Sequence, residues 1–349
     1  NAGSMEYEIE LKLLTNETAG EVIETKLLPE LKVEVKRDTL NLTNHYFDTP
    51  DRILRKHDIG LRIRGNNQTF EQTLKTAGTS IGGLHQRPEY NVNLGASVFA
   101  SQASTAQLPK LGLFPKTAWP NTINPKELEP KLEVLFTTHF KRESYLIALT
   151  PEDSVELVWD LGEIRSGDKT LAICEMELEL KKGSANALFQ LAKQLVQLLP
   201  TTVGINSKAA RGYSLLKDYS IEAPDLRKTE LNNSLAGDLD ETVQRLEDSL
   251  RHFQQLLSSS LVNGSQQNTI IAVKNSLAAL REQVVYFAEY FPHQAMRQHK
   301  SQLDTLLDTW PDNSDSDYVS KLNQYLTNAA TTQVQLDILQ TLVEKPWLS

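Results

Sequence analysis

A short alternation of charged and apolar residues near the N-terminus, Glu8-Ile9-Glu10-Leu11-Lys12, constrains the fold most strongly. Successive side chains of an extended strand point to opposite faces, so Glu8, Glu10 and Lys12 share one face and the apolar residues share the other. Clustered charges are costly in a dry interior unless a partner compensates them. The pattern therefore predicts a strand with its apolar face on a core and its charged face on a polar cavity.

Two further segments repeat this alternation. Glu175, Glu177 and Glu179 alternate with apolar residues, and Arg62 and Arg64 do so with the opposite sign of charge. Strands that are apolar on one face and charged on the other indicate a sheet curled around a polar cavity. Charges of both signs that face one another in such a cavity need a ligand.

Length and composition limit the class of protein. The chain has 349 residues, enough for two domains, and its 40% apolar and 23% charged residues are typical of a globular protein. No apolar run approaches the ~20 residues that span a membrane, so we expect no membrane partner. The single cysteine, Cys174, excludes an internal disulfide and favours a reducing, cytoplasmic location. We expect residues 1–4 to be a cloning remnant and Met5 the natural start.

Charge is distributed unevenly along the chain. From Tyr219 onward there are 10 basic and 17 acidic residues, a net charge of −7, whereas the preceding part carries −2. Neither part has the basic excess of a general nucleic-acid binder, so we expect no nucleic-acid partner.

Local patterns predict strands in the first part of the chain and helices in the second. Strands are predicted over 6–14, 31–35, 41–47, 60–65, 70–76, 85–92, 135–149, 154–160 and 171–181. Helices are predicted over 17–28 (with Asn16 as N-cap and Pro29 at its end), 184–199 and, in short form, 52–56 and 207–213. Residues 78–83 should form a loop, 95–130 a surface insertion and 160–163 a turn, and Pro88 argues for an edge position or a bulge. Beyond a linker near 218–234, helices are predicted over 235–261, 266–291, 294–310 and 317–343.

The order of these motifs resembles that of a known domain. The motifs are Glu8-x-Glu10-x-Lys12, Gly60-Leu61-Arg62-Ile63-Arg64, Lys75, Arg87-Pro88-Glu89, Glu175-x-Glu177-x-Glu179 and Ser207-Lys208. They resemble the CYTH domain, which defines the triphosphate tunnel metalloenzymes. Residues 82–90 look like those of bacterial inorganic triphosphatases in which this domain precedes a helical one.

The resemblance implies an α+β fold. We expect an eight-stranded antiparallel β tunnel with flanking helices over 5–218, a linker over 219–234, and an all-α helical bundle of the CHAD type over 235–349. In relatives, this helical domain is rich in histidine and basic residues that are thought to bind polyphosphate. Here it holds only His252, His293 and His299 and is acidic, so we expect a scaffold, a homodimer contact or a protein partner instead.

The charged residues divide into two predicted ligand sets. Eight basic side chains should bind substrate, because arginine offers planar forks and lysine a point charge to phosphate oxygens: Lys12, Arg62, Arg64, Lys75, Arg87, Arg142, Lys208 and Arg211. Six carboxylates should hold one or two Mg²⁺ or Mn²⁺ ions, which bridge carboxylate and phosphate oxygens: Glu8, Glu10, Glu89, Glu175, Glu177 and Glu179. The mixture is explained by a triphosphate together with a divalent metal. Glu8, Glu10, Lys12 and Glu89 are the predicted catalytic residues.

In the mechanism we expect, one metal is held by Glu8 or Glu10 with Glu175 or Glu177. A second, near Glu89, would lower the pKa of the attacking water. Less specific alternatives accompany these roles. At least one late glutamate, most readily Glu179, could be a structural ion-pair partner, and His85 could be an ordinary loop residue. Arg211 could lie on a solvated helix face. For Glu156 and Asp160, a functional role and a purely structural one are evenly balanced.

The leading function is metal-dependent hydrolysis of inorganic triphosphate to pyrophosphate and orthophosphate. A class IV-type adenylyl cyclase or a thiamine or nucleoside triphosphatase is an alternative on the same tunnel. It would need a pocket for a base, for which Tyr46, Phe47 and Tyr90 are the candidate aromatics. A non-catalytic polyphosphate-binding module is a third possibility.

Overall fold

The computed structural model describes residues 4–66, 69–96, 108–217, 238–262 and 267–348. Its first part is built from antiparallel strands. They are β1 (Ser4–Leu14), β2 (Val35–Asp48), β3 (Gly60–Gly65), β4 (Thr69–Lys75), β5 (Thr79–Ile81), β6 (Leu84–Ala96), β7 (Glu133–Ala148), β8 (Ser154–Ser166), β9 (Lys169–Lys182) and β10 (Thr202–Gly204).

Eight of these strands form a closed antiparallel barrel. The order around the barrel is β1-β9-β8-β7-β2-β3-β4-β6, and β6 pairs again with β1 to close it. The strand β5 pairs with the start of β6, and β10 pairs with the end of β1. The predicted eight-stranded antiparallel tunnel is therefore confirmed.

The alternation in β1 behaves as its sequence predicts. Leu11 and Leu13 are fully buried in the main hydrophobic core, outside the barrel, beneath the helix α5 (Asn186–Leu198). Glu8 and Lys12 are also buried, at 5% and 3% exposure, because they point into the barrel. One strand thus contributes to a core on one face and to a charged cavity on the other.

Several predicted boundaries were wrong. Residues 31–35 are not a strand, because the N-terminal helical segment extends from α1 (Ala19–Val22) through a π-helical turn (Ile23–Leu27) to α2 (Leu28–Leu31). Asn16 accepts a hydrogen bond from the Thr18 amide but lies before the helix N-cap. Pro29 does not end the helix, because it occupies the first turn of α2, where a missing N–H costs least.

The predicted turn at 160–163 is also wrong, since β8 continues through it to Ser166. Gly162 makes this continuation possible, because a Cβ at this position would lie only 2.1 Å from the His139 carbonyl oxygen of β7. The chain reverses instead at Gly167, whose φ of +61° suits glycine.

Pro88 lies inside the closed barrel, where β6 changes partners. Its neighbour on one side is Tyr7 of β1. On the other side, pairing with β5 ends at Gln86 and pairing with β4 begins at Glu89. The missing N–H of proline therefore falls at a local gap in the ladder, which agrees with the predicted edge-like position.

The predicted surface insertion forms a small core of its own over its described part, residues 108–132. It contains α4 (Pro125–Leu128) and the 3-10 turns Leu111–Leu113, Lys116–Ala118 and Glu129–Lys131. Phe114 and Trp119 pack edge to face, 6.3 Å apart, over β3, β4 and β6. Two short helices, α3 (Ile53–Lys56) and α6 (Lys208–Tyr213), flank the barrel as predicted.

The second part of the chain is all-helical. Its helices are α7 (Leu239–Val262), α8 (Gln267–Tyr290), α9 (Gln294–Asp308), α10 (Tyr318–Leu326) and α11 (Ala329–Glu344), followed by the 3-10 turn Pro346–Leu348. The single helix predicted over 317–343 is two helices, because the Asn328 side chain caps the Thr331 amide and starts a new one. The predicted linker and the Asn263-Gly264 break lie outside the described residues. Among the described helices, none is both long and apolar enough to cross a membrane.

The helical region packs directly on the barrel. Its leucines share one hydrophobic core with α5 and with the outer face of β1. Lys193 of α5 lies 2.7 Å from Asp337 of α11, and the Thr201 amide donates to the Thr327 carbonyl. The helices thus cover one side of the barrel.

Candidate active site

The charged strand faces enclose a cavity of about 160 Å³ inside the barrel. Seven cationic side chains line it: Lys12, Arg62, Arg64, Lys75, Arg87, Arg142 and Lys208. Five carboxylates line it as well: Glu8, Glu10, Glu89, Glu177 and Glu179. Of the predicted site residues, Glu175 and Arg211 lie outside this lining. The barrel thus gathers twelve of the predicted charges around one small volume.

One wall of the cavity is a compact network of paired charges around Lys208. The Ser207 hydroxyl caps the Ala210 amide and starts α6, which presents Lys208 to the barrel. The Lys208 Nζ atom lies 2.8 Å from both Asp160 and Glu177. Burial disfavours the charged amine, but Asp160 and the two nearby glutamates outweigh burial and raise the pKa of Lys208. This lysine is therefore held firmly as a cation.

Asp160 is the member of this network that sequence reasoning did not assign. Its side chain is fully buried and accepts two 2.8 Å hydrogen bonds from the Arg142 guanidinium. Arg142 and Asp160 are direct cross-strand partners in β7 and β8. A signal was available, because opposite charges directly across an antiparallel pair attract each other. The predicted end of β8 at residue 160 concealed it.

Glu175 serves as an anchor for cations. It is fully buried and lies 2.6 Å from Arg211, 3.2 Å from Lys208 and 3.5 Å from Lys12. Burial opposes its ionisation, yet Lys208, Lys12 and Arg211 together lower the pKa of Glu175. Glu179, the residue predicted as an ion-pair partner, pairs with Lys181 at 3.2 Å and also lines the cavity.

Arg62 and Arg64 offer the cavity its least committed donors. The Arg64 Nε atom donates to Asn44 at 2.7 Å, and no carboxylate of the described residues lies within 4.0 Å of its guanidinium. Burial and the charges of Arg62 and Arg142 lower the pKa of Arg64 to about 9. The buried Nε atom of Arg62 has no hydrogen-bond partner, and its Nη2 atom lies 3.7 Å from Glu89. Such donors suit an anionic ligand.

Two carboxylates of the cavity have raised pKa values, which means that their charged forms are disfavoured. Burial and the neighbouring charges of Glu177 and Glu8 raise the pKa of Glu10 well above its usual value. Burial, with Glu8 again nearby, raises the pKa of Glu179 to about 7. Glu8 is also buried, which opposes its ionisation, but Lys75, 2.9 Å away, together with hydrogen bonds to Glu10 and Glu89, lowers the pKa of Glu8. Glu10 and Glu179 thus lack sufficient positive charge around them.

These carboxylates fit a hard divalent ion. Their donors are all oxygen atoms, and the raised pKa values of Glu10 and Glu179 reflect burial first and then repulsion from nearby carboxylates, which a bound cation would offset. Among the described residues, no three histidine, cysteine, aspartate or glutamate side chains already converge on one point. Mg²⁺ does not require such a cluster, because it is commonly held by one or two carboxylates and the phosphates of a substrate.

Arg87 makes backbone contacts that differ from its predicted role. Its guanidinium donates to the carbonyls of Thr76, Asp58 and Lys75 at 3.0–3.1 Å. These bonds tie β6 to the end of β4 and to the turn before β3. Arg87 reaches the cavity, but much of its donor capacity is already used to hold the barrel wall.

His85 and Tyr46 also line the cavity. His85 lies on β6, within the strand predicted over 85–92, directly opposite Glu10. Burial and the charges of Lys12 and Arg87 lower the pKa of His85 to about 4, so the imidazole is neutral. The ring of Tyr46 stacks on a neighbouring phenylalanine, 4.7 Å away, which holds it at the wall.

The other aromatic residues considered for a base-binding pocket lie elsewhere. Phe47 and Tyr90 are buried at 1% and 7% exposure in the small core beneath the insertion. Two histidines of the helical region have structural contacts: His293 caps α9, and His299 bonds to Thr341 at 2.8 Å.

Comparison with known proteins assigns this barrel to a family. A model of the CYTH domain matches residues 6–213. The chain belongs to the CYTH family. A relative at 34% identity over 238 residues is the inorganic triphosphatase of Haemophilus influenzae, and the match covers 66% of this chain and 62% of that relative. The chain thus spans less than two thirds of that relative's length.

Solved structures of lower identity also match the CYTH region. A Hippeastrum protein described as having a dominant triphosphatase activity shows 22% identity and a TM-score of 0.42, covering 59% of this chain and 95% of that one. A protein of Pyrococcus horikoshii shows 19% identity and a TM-score of 0.37, covering 58% and 97%.

Proposed function

We propose that this CYTH protein hydrolyses inorganic triphosphate to pyrophosphate and orthophosphate with the help of Mg²⁺ or Mn²⁺. The observation that carries the proposal is the barrel cavity in which Arg64 has no carboxylate partner among the described residues and in which the pKa values of Glu10 and Glu179 are raised. A triphosphate would bring negative charge to Arg64, and a divalent ion would bring positive charge to Glu10 and Glu179. Neither a triphosphate alone nor a divalent ion alone would compensate both the basic and the acidic side chains.

The substrate would be held by the basic wall. Arg62 and Arg64 would donate to phosphate oxygens through free N–H groups, and Lys12, Lys75 and Arg142 would add positive charge from around the cavity. Lys208 and Arg142 are already oriented by Asp160, so they can bind without further ordering. Such preorganised charge is the main catalytic resource in phosphoryl transfer.

The metal would be held on the acidic side by Glu8, Glu10, Glu89 and Glu179. We exclude Glu175 from the predicted ligand set because three cations already surround it. When bound, a divalent ion neutralises phosphate oxygens and lowers the pKa of an attacking water. Glu10 would bind the ion in its ionised form, and Lys75 favours the ionised form of Glu8.

The size of the cavity supports a small substrate. At about 160 Å³ it lies below the ~300–1,000 Å³ of pockets for drug-sized ligands. Tyr46 is the sole phenylalanine, tyrosine or tryptophan in its lining among the described residues, so a stacking platform for a nucleobase is lacking there. The Haemophilus influenzae relative, an inorganic triphosphatase, supports the same choice over a cyclase or a thiamine triphosphatase.

The wider organisation follows as part of this proposal. We assign the catalytic unit to residues 5–218, a linker to 219–234 and a CHAD-like helical domain to 235–349. The single cysteine, Cys174, favours a cytoplasmic location for the protein. The acidic helical surface is suited to a protein partner or a second copy of the chain rather than to polyphosphate.

Phosphate release from inorganic triphosphate, ATP and thiamine triphosphate tests the proposal. Each substrate is assayed with Mg²⁺, with Mn²⁺ and with EDTA, for the wild type and for Glu10→Gln. We expect release from triphosphate that needs the metal and falls ~10²-fold or more in the variant, the scale of one lost preorganised charge contact. Glu163→Gln, a change at a partly exposed position of β8 that does not line the cavity, is the matched control and should retain full activity.

The alternatives give different results in the same assay. Faster turnover of ATP or thiamine triphosphate than of inorganic triphosphate would identify that compound as the preferred substrate instead. No release from any compound, with triphosphate still raising the melting temperature, would identify a binding module and refute the catalytic roles.

A further inference from the structure

The barrel wall has a break beside two cavity residues. One edge of β1 pairs with β6 as far as Leu11, which lies opposite Leu84. The same edge pairs with β10 from Lys12, which lies opposite Gly204. Two separate segments therefore meet end to end along β1, and we call the meeting point of Leu84 and Gly204 the seam. It borders Glu10 and Lys12, both of which line the cavity.

Both segments that meet at the seam continue into the cavity. Directly after the seam, β6 carries His85 and Arg87. On the other side, β10 leads to Asn206, whose carbonyl accepts a 3.0 Å hydrogen bond from Lys12, and then to Lys208. A small shift of either segment would therefore move charged groups of the site.

The helical region holds the β6 side through a hairpin turn. Gly82 and Gly83 form the two-residue turn between β5 and β6, with φ of +48° and +98°. Gln254 of α7 is 1% exposed and donates to the Gly82 carbonyl at 2.8 Å. Leu250 and Leu339 pack so closely on Gly82 that a Cβ there would lie 2.7 and 3.1 Å from them. The turn is thus gripped by two helices.

Helix α11 and the end of α10 hold the β10 side. The Thr332 hydroxyl of α11 donates to the Thr201 carbonyl at 2.6 Å, immediately before β10. The Thr201 amide donates in turn to the Thr327 carbonyl at 3.0 Å. Thr332 and Thr201 are both buried, at 0% and 1% exposure. The helical region therefore contacts both segments on either side of the seam.

We propose that the helical region positions the catalytic cavity by clamping this seam, with Gln254 and Thr332 as positioning residues. The inference rests on the proposed triphosphatase function and concerns its regulation. Neither residue touches the cavity, so each acts through the backbone it holds. Misplacement of a site by about 1 Å can cost ~10²-fold in rate, which makes such a clamp effective.

Two shape-conserving substitutions test the clamp: Gln254→Met and Thr332→Val, alone and combined. Each removes a donor from a buried carbonyl without opening a large cavity. Their controls are Gln244→Met on α7 and Thr305→Val on α9, exposed residues whose hydrogen bonds stay within their own helix. We expect the double variant to lose ~10-fold or more in kcat for triphosphate with a smaller change in KM. The controls should match the wild type.

Amide hydrogen exchange provides a readout that does not depend on activity. In the double variant, residues 84–89 and 203–208 should exchange faster, while β7 and β8 keep their wild-type protection. Wild-type kcat together with wild-type exchange at the seam would overturn the proposal. So would a loss of protection spread evenly over the barrel, which would mean general destabilisation. If the wild type releases no phosphate, the proposed function fails, and exchange at the seam still decides whether the bundle holds it.

Discussion

Arg64 and Arg142 line the same cavity, and we expect the same substitution to change protein stability in opposite directions at the two positions. Arg142 makes paired 2.8 Å hydrogen bonds with the fully buried carboxylate of Asp160. Arg64 has an amide partner, Asn44, and lacks a carboxylate within 4.0 Å in the described part of the chain. Arg64→Met should therefore stabilise the free protein and Arg142→Met should destabilise it, although both should weaken triphosphate binding.

The magnitudes follow from burial and charge. Burial and the positive charges nearby lower the pKa of Arg64 to about 9, so at pH 7 the folded state carries the full penalty of the charged form. That penalty is at most ~5 kcal/mol. Loss of the hydrogen bond to Asn44 destabilises the variant by ~1–3 kcal/mol, so the net stabilisation is ~2 kcal/mol. Arg142→Met strips a buried carboxylate of its main partner and should cost ~3–5 kcal/mol.

Thermal unfolding at pH 7 measures both effects. The buffer must contain neither phosphate nor sulfate, since these anions would bind the free arginines and mask the penalty. A gain of ~2 kcal/mol should raise the melting temperature by ~3 °C or more, and the Arg142 variant should melt below the wild type. If Arg64→Met lowers the melting temperature as much as Arg142→Met does, the charge of Arg64 is compensated and the reasoning fails.

Three further predictions concern the same cavity. Gly204→Ala would place a Cβ 2.7 Å from the Lys12 side chain and should weaken triphosphate binding ~10-fold in titration calorimetry; unchanged affinity would remove Lys12 from the binding set. Burial and nearby Glu8 raise the pKa of Glu179 above its unfolded value, so the metal-free protein should lose stability as pH rises from 5 to 8. Melting curves of Glu179→Gln should show a smaller loss. Mg²⁺ should raise the melting temperature more at pH 8 than at pH 6, because Glu10 and Glu179 must release protons to bind it; an equal rise would contradict this.

Local pattern was sufficient for the charged strands. The period-two alternation around Glu10, Arg62 and Glu177 specifies which side chains share a face, and the barrel turns those faces inward. Closure of the barrel then brings distant residues together, so no sequence signal beyond the local alternation is needed. That is why most of the predicted charges lie around one cavity.

Pairing between distant segments was only partly visible in the sequence. Asp160 needed the β7–β8 register, and Glu175 became an anchor only because α6 places Lys208 and Arg211 beside it. The local sequence predicted Arg87 as a substrate ligand. Its three carbonyl partners belong to other strands and turns, so the local sequence does not reveal them. Residues whose roles depend on such contacts require the folded structure.

The central claim is that this cavity hydrolyses triphosphate with a divalent ion. Phosphorus NMR tests it most directly, by following inorganic triphosphate mixed with the protein, with Mg²⁺ and then with EDTA. We expect the triphosphate signals to disappear only with Mg²⁺ and orthophosphate and pyrophosphate to appear in equal amounts. Triphosphate signals that persist with both Mg²⁺ and Mn²⁺, or that vanish equally fast in EDTA, would contradict it.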